Sequence, residues 1–242
     1  MKITVIGCST PYPRANRPCS GYLLSSADTA ILLDCGSGVF AALLEHVDPK
    51  TLAAVWVSHM HPDHFADLAA LANWALNTEE APKLRIFGPM NWDKRLNSFI
   101  SPDPAVDTVK DIFEVRYIGD GDTATIGDIE LTSRLVRHSV PTFGVRAQDA
   151  KGNIFSYSGD TGMCDGVNEL ARDADIFLCE AGSSEPVPYH LTAAQALEIA
   201  QRGNAGRLLV THVPEGVTVR VPEGGSVPSE LVKPGDEWTV GE

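Results

Sequence analysis

Short apolar runs and longer periodic segments alternate along the first part of the chain. Apolar runs bounded by Gly, Pro, Asp or Ser predict strands, and segments with apolar residues three or four positions apart predict helices. The predicted strands cover residues 2–6, 21–25, 30–34, 52–58 and 83–87. The predicted helices cover residues 36–46, 64–77 and 91–100.

The pattern changes in the middle of the chain, where strands follow one another without helices between them. These strands are predicted at residues 112–118, 123–126, 129–137, 144–148 and 153–158, joined by turns that contain Gly and Asp. The alternation then returns, with helices at 165–172 and 193–202 and strands at 175–179 and 207–211. The Gly- and Pro-rich tail after His212 predicts a loop with one or two edge strands.

This order of elements predicts the fold class. Helices from both ends of the chain must cover the outer faces of two packed sheets, because each sheet has an apolar face on either side to bury. The expected architecture is a four-layer αββα sandwich, formed as a single domain by residues 1–242. No low-complexity segment or repeat of fixed period interrupts the sequence.

Composition and charge exclude some classes of partner. The chain has 19 Lys and Arg against 32 Asp and Glu, a formal net charge of −13. Such an acidic chain is poorly suited to stable nucleic-acid binding or to docking on an anionic membrane. Five Cys without a C-x-x-C pair predict reduced thiols rather than disulfides or a zinc ribbon, and therefore a cytoplasmic protein. The apolar run near the N-terminus is too short for a signal peptide.

Most of the seven histidines lie at predicted strand ends. The segment 58–64, Ser-His-Met-His-Pro-Asp-His, follows a buried strand and precedes a helix. In its extended part His59 and His61 project to the same side, and the turn that follows re-aims Asp63 and His64. A run of exposed polar residues is the alternative, but it does not explain so dense a cluster.

Three further residues follow other predicted strands and extend this cluster. His138 ends the strand at 129–137, Asp160 follows the strand at 153–158, and His212 follows the strand at 207–211. Imidazole and carboxylate groups are the ligands that Zn²⁺ and similar divalent ions prefer, and a carboxylate can bridge two ions.

The H-x-H-x-D-H run resembles the metallo-β-lactamase superfamily, and within it the ribonuclease Z-like and cyclic-nucleotide phosphodiesterase-like branch. The resemblance covers the chain to about Val213 and includes Gly7-Cys8-Ser9 and Leu33-Asp34-Cys35-Gly36. It implies that Asp34 supports the segment 58–64, hereafter the metal loop, without binding metal itself. It implies one metal held by His59, His61 and His138, another held by Asp63, His64 and His212, and Asp160 bridging the two.

This ligand set implies two divalent ions, with Zn²⁺ expected and Mn²⁺ or Fe²⁺ as alternatives. A water molecule between two such cations would be hydroxide at neutral pH. The expected reaction is attack of that hydroxide on phosphorus or on a carbonyl carbon, with Asp63 orienting the nucleophile.

A second motif, after the strand at 175–179, carries the expected proton donor. Glu180-Ala181 and His190-Leu191-Thr192 resemble two motifs of the ribonuclease Z-like group, in which a His aided by a Glu protonates the leaving oxygen. The alternative is that His190 merely precedes a helix that Thr192 caps. In such a position Glu180 is more often a buried partner than a base.

Three arginines are candidates for substrate binding. Arg14 and Arg17 lie in a loop that resembles the substrate loop of ribonuclease Z, and Arg146 follows Gly144. Their guanidinium groups are suited to holding a phosphate by forked hydrogen bonds. A solvated loop is the alternative for the first two.

The chain departs from ribonuclease Z in one respect. The long arm that grips tRNA lies between the equivalents of His138 and Asp160 in that family, but here one hairpin with a turn at 149–152 joins them. This favours a small anionic substrate, such as a cyclic nucleotide. The resemblance also implies a homodimer.

Other functions use the same fold. An acyl hydrolase (a lactonase, a thioesterase or a β-lactam hydrolase) would need the same hydroxide, and a ribonuclease Z-type RNA 3′-end endonuclease would use the same motifs. A non-hydrolytic iron protein is disfavoured by the complete ligand set and by the His190 motif.

Overall fold

Two seven-stranded mixed sheets form the centre of the molecule. The computed structural model describes all residues except 102, 104 and 218–225. The strands of the first sheet are β1 (Lys2–Gly7), β2 (Gly21–Ser25), β3 (Ala30–Leu33), β4 (Ala54–Trp56), β5 (Leu84–Gly88), β6 (Phe113–Tyr117) and β14 (Glu237–Thr239). Their order in the sheet is β14-β1-β2-β3-β4-β5-β6, and β3 to β6 are parallel.

The second sheet has the strand order β13-β12-β11-β10-β9-β8-β7. Its antiparallel part, β7 to β10, contains the last four of the five strands predicted in the middle of the chain, whereas the first of them, at 112–118, is β6 of the first sheet. Strands β10 to β13 are parallel. Its strands are β7 (Thr123–Ile126), β8 (Ile129–Val136), β9 (Thr142–Asp149), β10 (Ile154–Tyr157), β11 (Ile176–Glu180), β12 (Leu208–Thr211) and β13 (Ser229–Leu231).

Helices cover the outer faces of both sheets. The first sheet packs against helices from the N-terminal half and the second against α6 and α7. The helices are α1 (Val39–Leu43), α2 (Pro62–Phe65), α3 (Leu68–Asn77), α4 (Trp92–Ile100), α5 (Thr108–Ile112), α6 (Asp165–Ala171) and α7 (Ala193–Arg202), together with a short 3₁₀ helix (Pro49–Thr51). Among the described residues, none of these helices has the length and apolar character needed to cross a membrane.

Apolar side chains fill three layers between these elements. One core cluster lies between the sheets, and one lies between each sheet and its helices. Strand β4 is buried on both faces, since Trp56 faces the other sheet and Val55 faces the helices. Its sequence is therefore apolar at every position. The prediction of a four-layer αββα sandwich is confirmed.

The predicted helix at 64–77 is divided, because tertiary hydrogen bonds form where the apolar periodicity suggested continuity. The backbone N–H of Asp67 donates to the carbonyl of Cys35 at 3.0 Å. The Asp67 carboxylate accepts a hydrogen bond from the N–H of Phe40 in α1 at 2.9 Å. These two hydrogen bonds fix the break between α2 and α3 and connect α1 to it. The Asp67 carboxylate therefore has a structural contact inside the fold.

The remaining differences are local. Helix α1 is shorter than the predicted helix at 36–46. Helix α5 was not predicted, and it ends at the first residue of the predicted strand at 112–118. The Asp107 carboxylate caps α5 by accepting from the N–H of Lys110 at 3.3 Å, a local bond that the apolar pattern does not reveal. The tail, predicted to contain one or two edge strands, forms two, β13 and β14. Pro102 and Pro104, which mark a connection in the sequence, and the part of the predicted tail loop at 218–225 lie outside the described residues.

Candidate metal centre

The loop after β4 places two pairs of candidate ligands in different directions. His61 has extended backbone, and Pro62 at the first position of α2 begins the helix, because its fixed φ suits a helical first turn. The chain therefore presents His59 and His61 from the extended segment, and Asp63 and His64 from the helix. Gly36 packs against this loop so closely that a Cβ there would collide with the carbonyl of Asp63.

The other three candidate ligands follow strands of the second sheet. His138 lies after β8, Asp160 after β10 and His212 after β12. His212 has a φ of 56°, a left-handed conformation that costs energy for a residue with a side chain and that is concentrated at functional sites. The two sheets thus contribute ligands to one rim.

Three imidazole nitrogens converge at one end of this rim. Nδ1 of His61 lies 3.1 Å from Nε2 of His59 and 3.1 Å from Nε2 of His138. A tetrahedral zinc ion with Zn–N bonds of about 2.0–2.1 Å holds its nitrogens about 3.3 Å apart. The spacing of these three nitrogens therefore fits a shared cation.

Asp160 lies between this group and a second one. Its Oδ1 is 3.2 Å from Nε2 of His64, and its Oδ2 is 3.2 Å from Nε2 of His212. The same Oδ2 is 3.7 Å from Nε2 of His59. Asp63 closes the second group, with its Oδ2 3.8 Å from Nε2 of both His64 and His212.

Two buried atoms at the centre of this arrangement support a cation. Nε2 of His64 and Oδ1 of Asp160 are buried and lie 3.2 Å apart, without the geometry of a hydrogen bond and without another partner among the described residues. Buried polar atoms in this state are destabilising unless a further group, such as a cation, satisfies them. Nitrogen and carboxylate ligands in this number suit Zn²⁺ and related ions. The cluster is therefore able to bind metal, and the residues predicted as ligands are His59, His61, Asp63, His64, His138, Asp160 and His212. His190 also lies close enough to Asp160 and His212 to share a metal ion with them.

Burial keeps the histidines of the first group neutral. Removal from water lowers the pKa of His59 well below its ordinary value and also lowers the pKa values of His61 and His138. Only a neutral imidazole has a lone pair free for a metal. The electrostatics of this group therefore favour ligation at neutral pH.

The second group has a surplus of negative charge. Burial would raise the pKa of Asp160, but His212 and His64 lower it well below its ordinary value, so the carboxylate is ionised. Burial would lower the pKa of His64, but the charges of Asp160 and Asp34 raise it well above its ordinary value. The surroundings thus favour positive charge at this position, which a divalent cation would provide.

Asp34 supports the metal loop from behind, as the resemblance implied. Its Oδ1 accepts a hydrogen bond from the N–H of Ser58 at 2.7 Å, and its Oδ2 accepts from the Ser58 hydroxyl at 2.8 Å. Oδ2 also lies 2.7 Å from Nδ1 of His64 and accepts from the hydroxyl of Tyr157 at 2.7 Å. One fully buried carboxylate therefore holds the start of the loop and one of its ligands.

Several residues that orient ligands were not predicted from the sequence. The hydroxyl of Ser58 lies 3.0 Å from Nδ1 of His59, and that of Ser20 lies 3.2 Å from Nδ1 of His212. Thr10 donates a hydrogen bond to Oδ2 of Asp63 at 3.0 Å. Ser58 and Tyr157 could have been found from the sequence, because they are polar residues at the ends of predicted apolar strands, next to ligand motifs. Thr10 and Ser20 could not, because the ligands that they contact are distant in sequence.

His190 lies beside the cluster of candidate ligands and is held by Glu180. Its ring stacks on that of His212 with centroids 6.0 Å apart. Its Nδ1 is 3.0 Å from Oε1 of the buried Glu180. Burial would lower the pKa of His190, but the hydrogen bond and the charge of Glu180 raise it.

Glu180 is itself fixed by backbone donors, which suits a positioning role rather than a base. Its Oε1 accepts a hydrogen bond from the N–H of Thr161 at 2.8 Å, and its Oε2 accepts from the N–H of Gly182 at 2.5 Å. Thr192 forms a capping box with Gln195 at the start of α7. The two interpretations of the motif therefore apply to different residues, since Thr192 caps the helix and His190 reaches the cluster.

The three candidate arginines occupy different places. Arg14 and Arg17 line a cavity of about 490 Å³ that also includes His212. Nε of Arg14 pairs with Oε2 of Glu215 at 2.6 Å across this cavity. The structure does not bring Arg146 to the cluster, because its guanidinium donates to the carbonyl of Arg172 at 2.5 Å, just past α6 on the helix side of the second sheet.

Comparisons with known proteins show the family of the chain. A family model described as a β-lactamase superfamily domain matches residues 29–213. The Mycobacterium tuberculosis protein Rv1339 is 38% identical over 222 residues, covering 88% of this chain and 81% of the relative.

Two further relatives indicate the branch. A probable metallo-hydrolase from Bacillus subtilis, YhfI, is 30% identical over 234 residues, covering 88% of this chain and 87% of the relative. The crystal structure of YhfI superposes with a TM-score of 0.85 over 98% of each chain, at 27% identity. Ribonuclease Z from an Exiguobacterium strain is 25% identical over 303 residues and covers all of both chains.

Proposed function

The chain belongs to the β-lactamase superfamily, in its ribonuclease Z-like branch of metallo-hydrolases, and from this premise we propose that it is a dinuclear metal-dependent phosphodiesterase. Its proposed substrate is a small phosphodiester such as a cyclic nucleotide.

The arrangement of the carboxylate of Asp160 carries the proposal of two ions. Each of its oxygens lies 3.2 Å from a histidine of the second group, and Oδ2 also faces His59 of the first. Zn²⁺ is the ion that this set of nitrogen and oxygen ligands suits best, with Mn²⁺ and Fe²⁺ as alternatives. Two such ions would make a water molecule bound to them acidic enough to be hydroxide near neutral pH, since zinc lowers the pKa of a bound water to about 7.

Asp63 and His190 supply the proposed proton chemistry. Asp63, which is held by Thr10 and faces His64 and His212, orients the attacking water. His190 donates a proton to the leaving alkoxide, which is a poor leaving group until it is protonated. The Glu180 carboxylate keeps the His190 ring in place and favours its protonated form.

Charge and chain length favour a small substrate over RNA. The net charge of −13 opposes an extended polyanion. The cavity beside His212 carries Arg17 as a cation for a single anionic group, whereas Arg14 already pairs with Glu215 there. The chain between His138 and Asp160 contains only β9, β10 and their tight turn. Asp149 closes this turn by accepting from the N–H of Lys151 at 2.9 Å, so that no basic arm extends here.

A substrate panel on metal-analysed protein tests the proposed function. Bis-aryl phosphate and cyclic AMP should be hydrolysed, and a lactone, a thioester and a β-lactam should be hydrolysed far more slowly. Turnover of the acyl substrates without turnover of phosphodiesters would establish an acyl hydrolase instead. Efficient cleavage of a tRNA precursor would favour a ribonuclease Z-type endonuclease and refute the argument from charge and the short hairpin.

Removing single ligands tests the metal requirement. His61→Ala and Asp160→Ala should each lose bound metal and lower kcat by at least about 10³-fold, because a ligand group is broken. Metal content by elemental analysis and kcat on the same samples give the answer. Full activity in metal-depleted His61→Ala protein would contradict the proposal.

A further inference from the structure

We propose that Thr10 is a positioning residue for the second metal group, which consists of Asp63, His64 and His212. Its hydroxyl fixes the carboxylate of Asp63 in the orientation needed to bind a cation. This inference rests on the proposed two-ion site, but it concerns metal affinity and is tested by binding.

The contact is short, buried and long-range in sequence. Thr10 is 5% exposed and Asp63 is 7% exposed, so the hydrogen bond between them is shielded from water. Oγ1 of Thr10 donates to Oδ2 of Asp63 at 3.0 Å across 53 residues of sequence. Within the described part of the chain, Thr10 is the side chain that donates a hydrogen bond to this carboxylate.

The oxygen that Thr10 holds is the one that faces the histidines. Oδ2 of Asp63 lies 3.8 Å from Nε2 of His64 and 3.8 Å from Nε2 of His212. A carboxylate oxygen has two lone-pair directions, so one can accept the hydroxyl while the other points to a cation. The hydrogen bond therefore selects a single rotation of the carboxylate without occupying its ligand position.

Thr10 completes a pattern in which ligands of both groups have an orienting partner. Asp34 contacts His64, Ser20 contacts His212 and Ser58 contacts His59, each through the ring nitrogen turned away from the cluster centre. Nδ1 of His138 is 3.1 Å from the carbonyl of Tyr189. Removing such a partner typically lowers metal affinity about 10–100-fold.

Two of these partners come from one segment, residues 8–20, between β1 and β2. Thr10 and Ser20 lie near its ends, and both support members of the second group. The first group receives its support from Ser58, within the metal loop itself, and from the backbone at Tyr189. The affinity of the second group should therefore respond to substitutions at Thr10 that leave the first group unchanged.

Thr10→Val and Thr10→Ser form the matched test. Valine keeps the shape of threonine and removes the donor, whereas serine keeps the donor and removes a methyl group. Zn²⁺ binding to metal-stripped full-length protein, measured by titration calorimetry with a competing chelator, should show one binding step weakened about 10–100-fold in Thr10→Val. The other step should be unchanged, and Thr10→Ser should bind within about threefold of the unsubstituted protein.

Asp63→Asn identifies the step that belongs to the second group, and thermal melts of metal-stripped proteins control for folding. The proposal is supported if Thr10→Val weakens the step that Asp63→Asn weakens and Thr10→Ser restores it. It is overturned if Thr10→Val leaves that step unchanged, or if Thr10→Val and Thr10→Ser weaken binding equally. These outcomes do not depend on turnover, so a protein that binds Zn²⁺ but hydrolyses no phosphodiester would refute the proposed function alone.

Discussion

At the scale of single residues, the chemistry of the cluster depends on what each ionisable group touches. His59 and His64 are both fully buried and belong to one six-residue motif, yet their pKa values move in opposite directions. Burial dominates for His59, whereas the carboxylates of Asp160 and Asp34 dominate for His64. The same side chain thus acquires different properties from its partners, which explains why the motif alone does not specify roles.

Glu180→Gln is expected to shift the pH dependence of kcat. His190 has a raised pKa, so its proton-donating form persists to higher pH, and activity should fall as pH rises through that pKa. The neutral amide removes the charge that raises this pKa, so the basic limb of the kcat profile should move to lower pH. His190→Ala should remove that limb and lower kcat by roughly 10²–10⁴-fold. Profiles measured with saturating metal and phosphodiester check both, and an unchanged basic limb in both variants would exclude His190 as the acid.

At the scale of elements, neighbouring residues at the start of a helix have separate roles, one in stabilising the helix and one in the site. Pro62 begins α2 and so directs Asp63 and His64 into the cluster, while Thr192, two residues after His190, caps the start of α7. The capping box of α7 satisfies backbone N–H groups that would otherwise lack partners. The short motif around His190 therefore serves the helix and the site through different side chains.

Thr192→Ala separates these two contributions. Loss of the cap should lower the free energy of unfolding by about 1 kcal/mol, because one backbone N–H of α7 loses its acceptor. Metal content and kcat should stay close to those of the unsubstituted protein. Urea denaturation gives the stability change, with His190→Ala as the comparison that should show the reverse pattern. A large loss of kcat in Thr192→Ala without a loss of stability would contradict this division.

At the scale of the whole molecule, the ligands connect two sheets. His59, His61, Asp63 and His64 follow a strand of the first sheet, whereas His138, Asp160 and His212 follow strands of the second. A bound cation would therefore link the two halves of the sandwich at one edge. Because binding to the folded chain alone adds stability, the metal and the fold should be thermodynamically coupled.

Chelation is expected to lower the melting temperature. With free metal at about 100 times its Kd, a single ion adds about 2.7 kcal/mol. For a chain of this size that corresponds to a shift of roughly 5–10 °C. Differential scanning calorimetry with and without EDTA checks the effect, and re-addition of Zn²⁺ should restore it. His61→Ala should show a smaller shift, and equal shifts in both proteins would place the bound metal elsewhere.

The sequence by itself determined the layer order and the main ligand motif. The apolar pattern of a segment indicates whether it is buried, whatever its neighbours in the fold are. The strands and most helices were therefore predicted within a few residues. The His59–His64 run was recognisable because its ligands are adjacent in sequence. His138, Asp160 and His212 were recognisable because each follows a predicted strand.

Only the tertiary structure decided which distant groups meet. Arg146 resembled a phosphate ligand in sequence, but the pleat of β9 turns it to the helix side, where it binds the end of α6. Thr10 carried no signal, yet the first loop brings it to Asp63, 53 residues away. The break between α2 and α3 was likewise set by contacts with Cys35 and Phe40. Such contacts depend on the packing of whole elements, and a linear pattern records the burial of a residue but not the identity of its neighbour.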